Sequence, residues 1–151
     1  MLAILASAAV AQPRYDLVLK GGHVIDAKNG ISAVRDVAIS QGTIAAVAAN
    51  IDPSRARRTV DVSSLYVVPG LVDMHVHVFA GSMGREYIGE NCVRPDGFTF
   101  RSGVTTVVDA GSSGWKNFET FLDQTIRHSK TRVLAFLNIV GGGMRGGPYE
   151  Q

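Results

Sequence analysis

Pro69-Gly70-Leu71-Val72-Asp73-Met74-His75-Val76-His77 constrains this chain more than any other stretch, because an apolar run there delivers two histidines one residue apart. Neighbouring side chains of a strand point to opposite faces. A strand through this run therefore puts Asp73, His75 and His77 on one face and Val72, Met74, Val76 and Val78 on the other. Two imidazoles along one strand edge can each set a nitrogen about 2.0–2.1 Å from the same divalent ion, while the apolar face packs under helices. A buried strand whose histidines are only hydrogen-bonded satisfies the same pattern, and both readings stand at this point. The leading Pro-Gly and the Asp two residues before the first histidine weigh towards metal.

The pattern on either side of that run changes character. From Tyr15 to Val68 short alternating or apolar runs, at residues 17–20, 24–26, 34–40, 44–47 and 59–62, are broken by turn residues. Lys28-Asn29-Gly30 and Gln41-Gly42 tolerate positive φ and read as hairpin turns, so a small antiparallel sheet is expected. From Val67 onwards apolar strands alternate with helical stretches, which is the signature of parallel α/β architecture. The strands are expected at residues 71–78, 105–110 and 132–140. Between the last two, Phe118, Phe121, Leu122 and Ile126 fall on one face of a helix. Residues 79–101, with Gly81, Gly84, Gly89 and Pro95, read as a long loop and a short helix. In a barrel built this way the loops after the strands form the active site.

On these residues the chain resembles the amidohydrolase superfamily. Pro69 to His77 resembles the first barrel strand of that family, residues 15–26 and 36–47 its small β domain, and residues 102–111 its second barrel strand. Ser112-Ser113-Gly114-Trp115 together with Leu137-Asn138-Ile139-Val140-Gly141 is most similar to the deacetylase branch close to dihydroorotases and aminoacylases. The resemblance covers essentially everything after Ala11. It implies an α/β fold, a small antiparallel β-sandwich domain followed by the first strands of an incomplete (β/α)₈ TIM barrel. The corresponding division is a signal peptide at 1–11, the N-terminal part of the sandwich at 12–68, and the first three β/α units at 69–151. A complete barrel needs about 250 residues, so this chain of 151 is expected to be an N-terminal portion, inactive by itself.

The resemblance also implies chemistry. One or two divalent metals, zinc first among them, sit at the barrel mouth, and a metal-activated water attacks an amide or related carbonyl. His75 and His77 match the first two ligands. Asp73 would stand behind them and fix an imidazole tautomer, or else cap the barrel floor. Asp109, at the end of the second strand, would contact substrate or metal-bound solvent, or instead cap a helix or hydrogen-bond the Ser112-Ser113 turn. The family's remaining ligands and its general base belong to later strands, so no catalytic residue is assigned within this chain. Lys116 and Lys130 flank a helix and are not promoted to ligands. His23 and His128 are expected to be structural, and Asn138 is placed to reach the mouth. The implied reaction is hydrolysis of an N-acyl amino acid or similar small amide. The alternatives are a cyclic-amide hydrolase of the dihydroorotase or hydantoinase kind, and a non-catalytic remnant.

Composition excludes little but does exclude something. With 46% hydrophobic and 19% charged residues and a formal charge of +2, the chain has no polyelectrolyte partner written into it. Arg55, Arg57 and Arg58 lack the aromatic platform that single-stranded nucleic acid needs and read as a solvated loop. Cys92 is the sole cysteine, which rules out an internal disulfide, and it is expected to be a small buried apolar group. Met1 to Ala11 is apolar and ends in Ala9-Val10-Ala11, a pattern that suits a signal peptidase, so export to the periplasm or exterior is expected. The stretch falls short of the about 20 apolar residues of a membrane span. Gly141 to Gly147 lacks the endings of a phosphate loop and is expected to be a loop at the barrel mouth. Homo-oligomerisation is left open.

Overall fold

Two tight turns organise the N-terminal residues. Gln41 at φ 51° and Gly42 at φ 73° both occupy the left-handed region that a two-residue hairpin turn demands. Residues 27–29 form a 3₁₀ turn capped by the Asp26 carboxylate and closed by Gly30 at φ 65°. These turns join β1 (Leu17–Asp26), β2 (Ile31–Ser40) and β3 (Thr43–Ala48) into an antiparallel meander. The computed structural model describes residues 14–81 and 92–144. They fall into two units, the first ending at Pro69 and the second starting at Gly70. The expected leader at residues 1–11 lies outside the described residues, as do Gly84, Gly89 and the Arg145-Gly146-Gly147 end of the glycine-rich stretch.

The expected all-antiparallel sheet needs correction at its far edge. β4 (Thr59–Asp61) and β5 (Tyr66–Val67) both pair with β1 in parallel, giving a five-stranded mixed sheet in which β1 lies between β2 and β4. The physical reason is the connection. The chain leaves β3 on one edge and crosses through the 3₁₀ turn Pro53–Arg55 to the opposite edge, where it re-enters in the direction of β1. β1 carries a bulge between Leu19 and Gly22, and at Gly22 a β-carbon would lie 2.6 Å from a Val67 methyl, so only glycine lets β5 approach. The described core of this unit is Tyr15, Val18, Ala38 and Ile51.

Within it lies a buried carboxylate that sequence reading did not single out. Asp36 Oδ2 accepts from Lys20 Nζ at 2.5 Å and from the Ile51 amide at 2.7 Å, and Oδ1 accepts from the Gly21 amide at 2.8 Å. Burial pushes this carboxyl up. The Lys20 hydrogen bond, the two amides and the Lys20 charge together outweigh burial and hold it below its ordinary value of 3.8. A carboxylate depressed in the fold contributes stability above its unfolded pKa and loses it as pH falls through the folded value. The first unit should therefore weaken below about pH 4, and Asp36→Asn should cost about 2 kcal/mol at neutral pH. Urea midpoints from pH 7 to 2.5 test this, because the variant should flatten the acid limb.

The second unit is a parallel sheet in the order β6 (Leu71–Val76), β7 (Val104–Gly114), β8 (Arg132–Asn138). A short helix α1 (Pro95–Phe98) continues into a 3₁₀ turn before β7, and α2 (Phe118–Gln124) with the turn Ile126–His128 links β7 to β8. Phe121 is fully buried and stacks on Phe79 at 4.9 Å, and Val78, Val107 and Val133 complete this core. Phe118 packs against it from the expected helical face, Ile126 does so from the 3₁₀ turn because the helix stops at Gln124, and Leu122 is half-buried outside this cluster. The Asp96 carboxylate ties α1 to the start of β8 by accepting from the Lys130 and Thr131 amides. No helix among the described residues is long and apolar enough to cross a membrane.

The opening strand departs from simple alternation. The register of β6 against β7 slips between Asp73 and Val76, because Asp73 faces Val107 while Val76 faces Asp109. Val76 and Val78 join the helix-covered core, whereas Met74 remains 70% exposed and Val72 57%. On β8, Phe136 and Leu137 are exposed too. The four apolar residues expected to share one covered face are thus split: on this edge strand residues 71–75 are exposed on both faces, and only Val76 and Val78 reach the core.

Candidate metal centre

The end of β6 brings the two histidines together. The rings of His75 and His77 stand 5.8 Å apart, centre to centre, at 87°. Imidazole nitrogens lie about 2.1 Å from a bound zinc, so two rings at this spacing can reach one ion. His75 is exposed and His77 half-buried, so one ring is open to solvent and the other is partly anchored. The anchor is Ser112, whose Oγ lies 2.9 Å from His77 Nδ1. The backbone is held as well, since the Val93 amide donates to the His77 carbonyl at 2.8 Å.

Asp73 bonds to the main chain of His75. Its Oδ1 accepts from the backbone amide of His75 at 3.0 Å, so it shapes the chain between the strand and the ring pair. Asp109 is fully buried. Its Oδ1 accepts from the Ser112 amide at 2.7 Å and its Oδ2 from the Val78 amide at 2.8 Å. Of the roles open to Asp109, the structure shows the hydrogen bond to the Ser112-Ser113 turn, together with a second to the residue after His77.

Around this point β7 runs four residues beyond its expected end, to Gly114, and the 140–143 turn packs on it. Asn138 binds backbone on either side: its Nδ2 donates to the Gly111 carbonyl at 3.1 Å and its Oδ1 accepts from the Val140 amide. That turn back to Val140 is why β8 ends at Asn138. Gly143, at φ 76°, lies so close to the Ser112 carbonyl that any β-carbon would collide with it. Cys92 sits nearby, half-buried, and burial followed by the Asp109 charge pushes its thiol up, which disfavours the thiolate a nucleophile needs. His23 belongs to the first unit, its Nε2 3.1 Å from Ser32 Oγ, and His128 is exposed in its 3₁₀ turn.

Sequence reading missed Ser112. The signal it left was the Asp109-x-x-Ser112 spacing, in which a carboxylate can cap the amide three residues on. Among the described residues no group of three or more His, Cys, Asp and Glu side chains is placed to hold an ion. Among the described residues the strand end therefore offers a histidine pair, one short of the three protein ligands of a catalytic zinc site. The pair itself fits a metal: its ring spacing is suitable, and one ring is already held through its other nitrogen.

No family model matches the chain. Individual proteins do. It is 36% identical to a deacetylase of Agrobacterium fabrum over 103 residues, covering 68% of this chain and 24% of that protein. It is 37% identical to a deacetylase of Enterococcus faecalis over 131 residues, covering 86% of this chain and 32% of that protein. A dihydroorotase crystal structure superposes with a TM-score of 0.70 at 31% identity, over 85% of this chain and 32% of that one. Two histidines closing a parallel strand of an α/β sheet, in a chain similar to these enzymes, define the class. This chain belongs to the amidohydrolase superfamily, on its deacetylase/dihydroorotase-like side. It spans between a quarter and a third of the length of the curated deacetylases it matches.

Proposed function

We propose that this chain is the N-terminal portion of a metal-dependent amidohydrolase that cleaves an amide or acyl C–N bond of a small molecule, in the manner of an N-acyl amino acid deacetylase. The observation that carries the reading is the His75–His77 ring pair at 5.8 Å on a strand end, in a chain 37% identical to a deacetylase across 131 residues. The parallel order β6-β7-β8, with the outer strands β6 and β8 bearing exposed apolar residues, supports an opening segment of a (β/α)₈ barrel. The apolar Met1 to Ala11 stretch with its Ala-x-Ala ending supports export.

His75 and His77 would hold a divalent ion, for which zinc suits the imidazole donors. When bound, such an ion polarises a carbonyl and lowers the pKa of water towards about 7. The chain's own residues supply placement. Asp73 fixes the His75 main chain, Asp109 joins the residue after His77 to β7, and Ser112 holds the His77 ring. A second reading, a cyclic-amide hydrolase, is favoured by the likeness to the dihydroorotase structure.

Titration of Zn²⁺ into the purified chain tests the site. One ion should bind per chain, and replacing both His75 and His77 with Ala should weaken that binding at least about a hundredfold. Undiminished binding in the double variant would sink the assignment. Assay of the intact enzyme on N-acyl amino acids against cyclic amides separates the two substrate readings.

A further inference from the structure

The ligand pair is asymmetric, and the asymmetry is built. A neutral imidazole has one N–H and one lone pair, and the bond made by one nitrogen decides which nitrogen is left to bind a metal. His77 Nδ1 lies 2.9 Å from Ser112 Oγ, on a serine that is 1% exposed. The same Asp109 carboxylate holds the Ser112 amide at 2.7 Å and the Val78 amide, next to His77, at 2.8 Å. One buried group thus fixes both ends of the serine–imidazole contact, and Gly143 closes on the Ser112 carbonyl behind it.

We propose that Ser112 is the positioning residue of His77: its hydroxyl oxygen accepts Nδ1–H, so that Nε2 carries the lone pair offered to an ion. The proposal rests on the reading of His77 as a ligand. Ser112, at 1% exposed, acts through His77. It sets a tautomer and a ring angle, the task that the sequence pattern had suggested for Asp73. The Asp109 bonds to the Ser112 and Val78 amides fix where the hydroxyl oxygen and the ring sit. The opposite sense, a hydroxyl that donates to Nδ1 and leaves Nε2–H facing the ion, is the outcome that the tautomer measurement separates from the proposal.

The test reads the tautomer directly. Long-range ¹H–¹⁵N correlation spectra of the metal-free chain should show His77 as the Nδ1–H form. Ser112→Ala should shift it towards Nε2–H and lower Zn²⁺ affinity about 10–100-fold, while Ser112→Thr, which keeps the hydroxyl, should restore both. An Nε2–H His77 in the unmodified chain would overturn the proposal, as would a Ser112→Ala variant with unchanged tautomer and affinity. The first of these needs no variant to fold. Failure of the ligand reading has a different mark, undiminished Zn²⁺ affinity in His77→Ala, whatever the tautomer.

Discussion

Asp109→Ala should be the most damaging single polar substitution in the second unit. The carboxylate is wholly buried and serves two backbone amides, those of Val78 and Ser112. Its removal leaves both donors without their partner, at roughly 1–3 kcal/mol for each orphaned amide, or about 2–6 kcal/mol together. Asp109→Asn should be almost as harmful, because one of its two acceptors becomes an NH₂ group facing an N–H. Urea melts followed by the fluorescence of Trp115, the sole tryptophan, report on this unit alone. The same variants should weaken Zn²⁺ binding, since the segment after His77 and the amide of Ser112 lose their common anchor. A midpoint within experimental error of the unmodified chain would show that the Asp109 bonds are dispensable.

That carboxylate also marks where sequence reading ran out. Chemistry carried on contiguous residues was legible: Pro69 to His77 announced a strand with a histidine pair, and the structure puts the two rings 5.8 Å apart. Local backbone demands were legible as well. Asn29-Gly30 and Gln41-Gly42 turn the chain where their tolerance of positive φ said they would. The helical spacing picked out Phe118 and Phe121, which pack in the core, whereas Leu122 stays outside the core cluster and Ile126 reaches it from a 3₁₀ turn past the helix end.

Pairing was less legible, because register is a property of two strands and not of one. Nothing in Asp73-Met74-His75-Val76 signals the slip against β7, or that residues 71–75 stay exposed on both faces while Val76 joins the core. β4 and β5 are three and two residues long, too short for a pattern to reveal that they run parallel to β1. Asp36 sits in an unremarkable strand sequence, and its three partners Lys20, Gly21 and Ile51 come from 15 or more positions away. Ser112 shares that difficulty, since its imidazole partner lies 35 residues earlier. Long-range polar satisfaction is set by the fold, and a single sequence carries only its endpoints.

Phe121→Ala isolates packing from chemistry. Phe121 is fully buried, stacked on Phe79 at 4.9 Å and met edge-on by Phe118 at 6.3 Å, and it lends no polar atom to the strand end. Truncation opens a cavity between α2 and the sheet and should cost about 3–5 kcal/mol. That is a large share of the roughly 5–15 kcal/mol available to a typical domain. Phe121→Leu should cost clearly less, because part of the volume and most of the contacts with Val78, Val107 and Val133 survive. Phe79 lies two residues beyond His77, so the cavity loosens the chain just past the ligand pair without touching either ring. Under conditions where Phe121→Ala remains folded, it should therefore keep the His77 tautomer and one Zn²⁺ per chain while its urea midpoint falls. Asp109→Ala should lose on both counts. Equal loss of metal binding in the two variants at matched stability would mean that the ring pair is placed by bulk packing and owes nothing to the polar anchor of Asp109.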